Sequence, residues 1–227
     1  MPLGASRAGL MSVAKDEIPD SVVYQLNSLE IEANEGESLS GWEDNITEDT
    51  VDAVGSPTYR DSSINDNPGV ELDGTDDAFV ESSFSDVPKP QTLFILLDLN
   101  NVNHQGWITG RVESLNSNFV RIDDENVDVG LDGSTALTSS ISAGVRLISA
   151  RMADSDTVLR VDGVEEDTDS STDAGPLECL SYGFEAENNR RYVDGTLGIL
   201  EIHDEALTDE EIQSREDEIA SMFDHSM

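Results

Sequence analysis

Short stretches in which apolar and polar residues alternate recur along most of the chain, and turn-forming residues separate them. Alternation with a period of two is typical of strands that bury one face, and many short strands of this kind indicate an all-β domain. The strands that this pattern predicts span residues 21–26, 69–72, 92–99, 107–109, 118–122, 145–152, 157–163, 180–184 and 196–203. Asp162 and Gly163, between two alternating flanks, predict a tight hairpin with a further strand after it.

A helical period replaces the alternation near the C-terminus. Leu207, Ile212 and Ile219 form an apolar stripe at helical spacing, which Met222 and Phe223 continue. Thr208 followed three residues later by Glu211 is a capping box. We therefore predict a helix over residues 208–223, and we expect it to lie across one edge of a sheet.

Residues 1–20 differ from the rest of the chain. They are rich in small residues, carry Arg7 and Lys15, and end next to Pro19. We interpret them as an N-terminal arm for assembly, which leaves residues 21–227 as one domain. The arm has no continuous apolar segment, so we do not interpret it as a signal peptide. No apolar run is long enough for a membrane span, and the single Cys179 predicts no intrachain disulfide.

The charge of the chain indicates the salt concentration at which such a domain is stable. The chain has 49 Asp and Glu against 12 Lys and Arg, for a formal net charge of -37 and a pI near 4.1. Self-repulsion of this size opposes compaction at ordinary ionic strength, but at about 1 M salt the screening length falls to roughly 3 Å. We therefore expect a halophilic folded protein. No basic patch is present to contact phosphates, so nucleic acid is not an expected partner.

Several segments occur in an order that resembles a known domain family. "GWEDNITED" is followed by "SPTYRDSSINDNPGVELDGTDD", the apolar strand "TLFILLDL", the hairpin "LRVDGV" and the closing "RRYVDGTLGILEIHDEALTDEEIQSREDEI". Together they resemble the concanavalin A-like, laminin G-like lectin and glucanase domain over roughly residues 20–223. The resemblance implies an all-β jelly-roll sandwich of two antiparallel sheets. The N-terminal "LGASRAGLMSV" is similar to the starts of virion structural proteins of haloarchaeal tailed viruses.

The segment "NPGVELDGTDDAFVESSF" raises the question of catalysis. Glu71, Asp73 and Asp76 imitate the paired-carboxylate signature of retaining glucanases that share this sandwich, which need two carboxyl groups about 5 Å apart. Gly74, however, is expected to break the strand before Asp76, and the chain is poor in aromatic residues. We therefore interpret Asp73–Gly74 as a turn, with Val70 and Leu72 facing the core, and we predict no enzymatic activity.

A hard cation such as calcium is the one cofactor that we consider, because laminin G-like domains often bind calcium at a rim of the sandwich. No residues match a ligand motif of the family, so the position of a metal site stays open. Residues 65–69 and 123–134 hold carboxylates and amides that could bind such a cation. An EF-hand-like spacing of Asp167, Asp169, Ser171, Asp173 and Glu178 lacks the required glycine, and we interpret it as a coincidence in a solvated loop. Glu201 and His203, two residues apart on one strand, are expected to be a surface pair rather than metal ligands.

Sugar recognition is the remaining candidate chemistry. Asn103, His104 and Gln105 form a polar loop able to bind hydroxyl groups, and Trp107 could stack on a sugar ring. Burial in the core is the competing interpretation for Trp107, and the favoured one for Trp42. Asn45 opens an Asn-Ile-Thr sequon for N-glycosylation.

Three functions are compatible with this fold, which alone does not decide between them. The favoured hypothesis is a halophilic virion surface protein, such as a turret, decoration or fibre subunit. Its expected partners are other virion proteins through residues 1–20, further copies of itself, and host surface glycans. The alternative is a carbohydrate-binding module of a haloarchaeal cell-surface protein, and a glycoside hydrolase is the least favoured.

Overall fold

A computed structural model describes residues 18–81, 85–102, 106–109, 118–131, 134–170, 173–177, 180–183 and 192–227, with only the backbone at 106–109, 134 and 180. The strands are β1 (Val22–Asn27), β2 (Gly41–Glu43), β3 (Thr50–Val54), β4 (Thr58–Ile64), β5 (Asn67–Asp73), β6 (Ala78–Glu81), β7 (Gln91–Leu99), β8 (Gly106–Thr109), β9 (Phe119–Asp123), β10 (Asn126–Leu131), β11 (Ser134–Ser140), β12 (Gly144–Met152), β13 (Thr157–Val161), β14 (Val164–Asp169), β15 (Leu180–Tyr182) and β16 (Asp194–His203). A 3-10 turn covers Ser28–Glu30, and α1 spans Asp209–Met222.

The strands form two layers. One layer is an eight-stranded antiparallel sheet in the order β14-β13-β12-β7-β16-β5-β4, with β1 also paired to β16. The other layer consists of two four-stranded sheets, β11-β10-β9-β8 and β15-β6-β3-β2, whose edge strands β8 and β15 contact each other. The structure is therefore the all-β antiparallel sandwich that the sequence predicts.

The main core lies between the two layers. Alternate residues of β7 (Leu93, Ile95, Leu97 and Leu99) are buried there, together with Phe79 of β6 and residues of β9 and β10. The nine strands predicted from alternation are all present, with bounds shifted by a few residues. The hairpin at Asp162–Gly163 is also confirmed, since both residues have positive φ and β13 pairs with β14.

The position of the helix on the sheet differs from the predicted one. The prediction that it crosses a sheet edge is wrong, because α1 covers the side of the eight-stranded sheet that points away from the main core. Ile212, Ile219 and Phe223 pack there against Phe94 and Leu96 of β7, among other buried residues. The cause is visible in β7, which is apolar on both faces and so needs cover on both sides. The capping box is confirmed, since Thr208 and Glu211 exchange side-chain and backbone bonds.

Candidate functional site

The Asp73 turn is confirmed. Strand β5 ends at Asp73, Gly74 has a φ of 71°, and Val70 and Leu72 are buried in the core. The Asp73 Oδ1 atom accepts hydrogen bonds from the backbone N–H groups of Thr75 (2.8 Å) and Asp76 (3.1 Å). Although burial raises the pKa of Asp73, these backbone bonds hold it below its usual value. The strand therefore ends before Asp76, which does not share the β5 face with Glu71.

The glucanase-like spacing thus has a local structural explanation. Glu71 lies on the face of β5 away from the core, where its Oε2 atom accepts a hydrogen bond from Arg60 Nε at 2.6 Å. Asp73 is engaged in its turn, and Asp76 follows the strand end. These contacts support the turn interpretation of the motif.

Asp73, Asp76 and Asp77 bring carboxylate oxygens within 4.8 Å of one another. Burial raises the pKa of Asp77, and the neighbouring charges of Asp73 and Asp76 act in the same direction, while the N–H of Ser56 opposes them. Such a group of oxygens is of the kind that hard cations bind. Calcium binding stays a prediction, with these three residues as its best-placed ligands in the described part of the chain.

The other loops considered for a cation take different structures. Asn65 and Asp66 form the tight β4–β5 turn with positive φ, and residues 126–131 are strand β10 rather than loop. The interpretation of residues 167–178 as one solvated loop is wrong at its start. Asp167 and Asp169 lie on β14, where Asp167 Oδ2 accepts a bond from the Thr138 backbone at 3.1 Å. Ser171 and Glu178 lie outside the described residues.

Glu201 and His203 are not a surface pair, so that expectation is wrong. Both side chains are buried, at 0 % and 1 % exposure, and His203 Nε2 lies 2.9 Å from Glu201 Oε1. Arg215 of α1 reaches Glu201 with two nitrogens, and Gln25 of β1 donates to Glu201 Oε2 at 2.7 Å. Burial alone would raise the pKa of Glu201, but the bonds from His203 and Arg215 lower it to about 2. The helix covers this face of the sheet, which is why the Glu201 carboxylate and the His203 ring are buried.

Trp42 lies in β2, in the layer that packs against the eight-stranded sheet, and Asn45 follows this strand. Trp42 is 3 % exposed and packs edge-to-face on Phe79 with ring centroids 5.6 Å apart, so its predicted core position is confirmed. Asn45 Nδ2 donates to Gln25 Oε1 at 3.1 Å. Glycosylation at Asn45 stays a prediction, and it would require this hydrogen bond to break.

The strongest candidate for recognition is the face of the β8–β11 sheet that points away from the core, which we call the outer face. Val120 and Ile122 of β9 are buried in the core, so Phe119, Arg121 and Asp123 lie on the outer face. Arg121 contacts Asp128 Oδ2 through Nη2 at 2.8 Å and through Nε at 3.0 Å.

Further contacts fix the arginine in place. Its Nη2 atom lies 3.3 Å from Asp123 Oδ2 and 3.3 Å from Thr135 Oγ1, and its Cζ lies 5.5 Å from the centre of the Phe119 ring. Phe119 itself lies over Gly130, its partner in the strand pairing, where any side chain would collide with the ring. The result is a patch of guanidinium, carboxylate and hydroxyl groups in which Arg121 and Asp123 are partly exposed, with side-chain exposures of 22 % and 21 %, while Asp128 and Phe119 are buried. No signal in the single strand 118–122 predicts this patch, because the partners Asp128 and Thr135 come from the neighbouring strands β10 and β11.

One of the predicted sugar-binding residues, Trp107, lies in the strand next to this patch. Trp107 lies in β8, and its backbone is the register partner of Arg121 in β9. Asn103, His104 and Gln105, which directly precede β8, and the side chain of Trp107 lie outside the described residues. Their role in glycan binding therefore stays a prediction.

The described residues thus define an antiparallel β-sandwich with one covering helix and a charged, hydrogen-bonding outer face. The sequence matches no protein-family profile and no curated protein. The fold is similar to that of the binding domain of botulinum neurotoxin serotype D/C, with a TM-score of 0.61 and 11 % identity over 88 % of this chain and 52 % of that one. A Trypanosoma rangeli sialidase in complex with sialic acid gives 0.60 and 14 %, over 92 % of this chain and 34 % of the sialidase.

An α-L-arabinofuranosidase soaked with a cyclic sulfate inhibitor is also similar, with a TM-score of 0.64 and 8 % identity over 82 % of this chain and 51 % of the enzyme. The chain spans about half or less of the length of these three structures. At these identities the similarity shows the fold, which supports the lectin-like sandwich that the sequence resemblance implies. Within the described residues, no helix is long and apolar enough to cross a membrane.

Proposed function

We propose that this domain recognises a carbohydrate on a host or partner surface, and that the outer face of the β8–β11 sheet is its binding surface. The observation that carries the proposal is the Arg121 patch, held by Asp128 and Asp123, in register with Trp107. A fixed guanidinium donates hydrogen bonds while adjacent carboxylates accept them, which suits pairs of neighbouring sugar hydroxyls. An aromatic side chain such as that of tryptophan can pack on the apolar face of a sugar ring.

The names of the similar structures support this class of function. They include the receptor-binding domain of a botulinum neurotoxin C/D mosaic serotype, a sialidase with bound sialic acid and an arabinofuranosidase. The charge of this chain narrows the class of ligand. Within the patch itself, the carboxylates of Asp123 and Asp128 outnumber the guanidinium of Arg121, so no net positive charge attracts an anionic ligand and we expect a neutral glycan.

The proposed setting is the surface of a virus that infects haloarchaea, as a turret, decoration or fibre subunit. The acidic composition and the similarity of residues 3–13 to the starts of virion structural proteins support it. Residues 1–20 would join the domain to other virion proteins or to further copies of itself, and many copies on one particle would raise a weak affinity to useful avidity. Removal of these residues should leave a folded domain in molar salt that no longer assembles. If the truncated protein failed to fold, the interpretation of residues 1–20 as an assembly arm would be wrong.

The alternative is a carbohydrate-binding module of a haloarchaeal cell-surface protein. It uses the same outer face and differs in the larger protein to which the domain belongs. A glycoside hydrolase is less favoured, because Asp73 is engaged in its turn and Asp76, which follows the strand end, does not share the β5 face with Glu71. Analysis of purified virions by mass spectrometry distinguishes the two settings, since only a virion protein is a stoichiometric component of the particle.

The binding proposal is tested with a glycan array in molar salt, using the wild type and the Trp107→Ala variant. We expect weak binding of neutral glycans, in the millimolar-to-micromolar range that corresponds to about -4 to -8 kcal/mol per site. The variant should lose binding and keep its melting temperature. Absence of binding by an oligomeric wild type would leave a structural role alone.

A further inference from the structure

A cavity lies on the side of the eight-stranded sheet that α1 covers, between the start of β1, the end of β16 and α1. It has a volume of about 330 Å³, and its lining includes Ser21, His203, Arg215 and Ser214. Ser21 is half-buried and lies directly before β1, while His203 is the last residue of β16. The carbohydrate proposal uses none of these residues.

Three side chains here form a hydrogen-bonded series. The Ser21 Oγ atom lies 2.8 Å from His203 Nδ1, and His203 Nε2 lies 2.9 Å from Glu201 Oε1. A serine within hydrogen-bond distance of an imidazole, which is itself oriented by a carboxylate, is the signature of an activated nucleophile. The ring nitrogens have exchanged positions relative to the familiar serine hydrolases, but the two roles of the ring are the same.

The direction of each bond follows from the chemistry of the groups. Glu201 has a pKa of about 2, so at neutral pH it is ionised and can only accept a hydrogen bond. When the imidazole is neutral, its proton is therefore on Nε2, which leaves Nδ1 as an acceptor. The Ser21 hydroxyl then donates to Nδ1, which is the arrangement that a general base requires. The ring itself is held in place by an edge-on contact with Phe94, with ring centroids 5.5 Å apart.

We propose that Ser21, His203 and Glu201 act as nucleophile, base and orienting carboxylate in acyl transfer from a small neutral or cationic carboxylic ester. The Ser21 oxygen bonds to the ester carbonyl carbon while its proton passes to His203 Nδ1. The bond from that carbon to the alcohol oxygen breaks, and the alcohol leaves with the proton. Water then hydrolyses the acyl-serine, losing a proton to Nδ1 that returns to Ser21, and the carboxylic acid is released.

The cavity selects the charge of the ester. Its lining includes Asp20, Glu205, Glu211 and Glu218, whose negative charge repels anionic substrates. Arg215 does not counter this, because its guanidinium is bound to Glu201 and Glu218. Since no cation is left to stabilise the oxyanion among the described lining residues, turnover should be slow and the covalent step should be easier to detect than steady-state hydrolysis.

The test is labelling of the full chain in molar salt with a neutral fluorophosphonate, followed by peptide mass spectrometry. We expect an adduct on Ser21 in the wild type, no adduct at that position in Ser21→Ala, and wild-type labelling in Ser214→Ala, a serine of the same cavity. His203→Gln, which retains a polar group next to Glu201, should slow labelling by roughly 10²-fold, as expected on loss of a general base. Hydrolysis of p-nitrophenyl acetate should fall to the background rate in Ser21→Ala.

Thermal melts in the same buffer separate chemistry from structure. If Ser21 stays unlabelled in a wild type that melts cooperatively, the hydroxyl only holds β1 in place and the proposal is wrong. Equal labelling rates in the wild type and a folded His203→Gln variant would also overturn it. The outcome is independent of glycan binding, because the two sites lie on opposite layers of the sandwich.

Discussion

The buried ion pair between α1 and β16 leads to a quantitative prediction. Arg215 is 6 % exposed and contacts the fully buried Glu201 through two nitrogens. Arg215→Met would leave that carboxylate buried without its cation, and loss of one partner of a buried pair costs about 3–5 kcal/mol. For a domain of this size each kcal/mol lowers the melting temperature by about 2–4 °C, so we expect a fall of roughly 6–20 °C.

Arg60→Met is the matched control, because Arg60 is also paired with two carboxylates, Glu35 and Glu71, but is 39 % exposed. Surface pairs contribute little to stability, so this variant should melt close to the wild type. The double variant Glu201→Gln/Arg215→Met should recover part of the loss, since it removes the uncompensated charge. Circular dichroism melts at constant molar salt measure all four proteins. Equal melting temperatures for Arg215→Met and Arg60→Met would refute the reasoning.

Three further predictions concern stability. We expect cooperative unfolding as NaCl falls from molar concentration towards about 0.1 M, where screening reaches only roughly 10 Å, and an unchanged melting temperature across this series would contradict the halophilic interpretation. Because folding lowers the pKa of Glu201 from 4.5 to about 2, the resulting stability is present above pH 4.5 and is lost as the pH falls towards 2. The free energy of unfolding should fall by about 3 kcal/mol, at ~1.4 kcal/mol per pKa unit. The Glu201→Gln variant should not show this fall in an acid titration. Gly130→Ala places a methyl group against the Phe119 ring and should cost about 1–3 kcal/mol in a urea titration, whereas a neutral result would mean that the ring is free to move.

The sequence predicts those features of the fold that depend on neighbours along the chain. Alternation in β9, the Asp162–Gly163 turn and the Thr208–Glu211 capping box each depend on residues a few positions apart, and each is confirmed. Strand β10 was not predicted, although Val127, Val129 and Leu131 alternate, because its carboxylates and glycines resemble those of a loop.

Features that depend on contacts between distant segments could not be predicted. Glu201 and His203 are two residues apart on one strand, which is the spacing expected of an exposed pair. They are buried because α1 lies above them. The outer-face patch likewise requires the register of β9 with β10, which places Asp128 opposite Arg121. The sequence predicts a sugar-binding region through Trp107 and the preceding polar loop, but it does not predict a role for Arg121, which pairs with Trp107 across the sheet.

The central claim, recognition of a glycan by the outer face, is tested most directly by titration of Arg121→Lys with a glycan that the wild type binds. Lysine keeps the charge but cannot reproduce the planar, two-nitrogen contact with Asp128, so the variant should retain its fold and lose most of its affinity. Arg60→Lys, on the opposite layer, serves as the control. Calorimetry in molar salt should show wild-type affinity for Arg60→Lys and at least a roughly tenfold weaker affinity, about 1.4 kcal/mol, for Arg121→Lys. Equal affinities for the two variants would show that the ligand binds elsewhere.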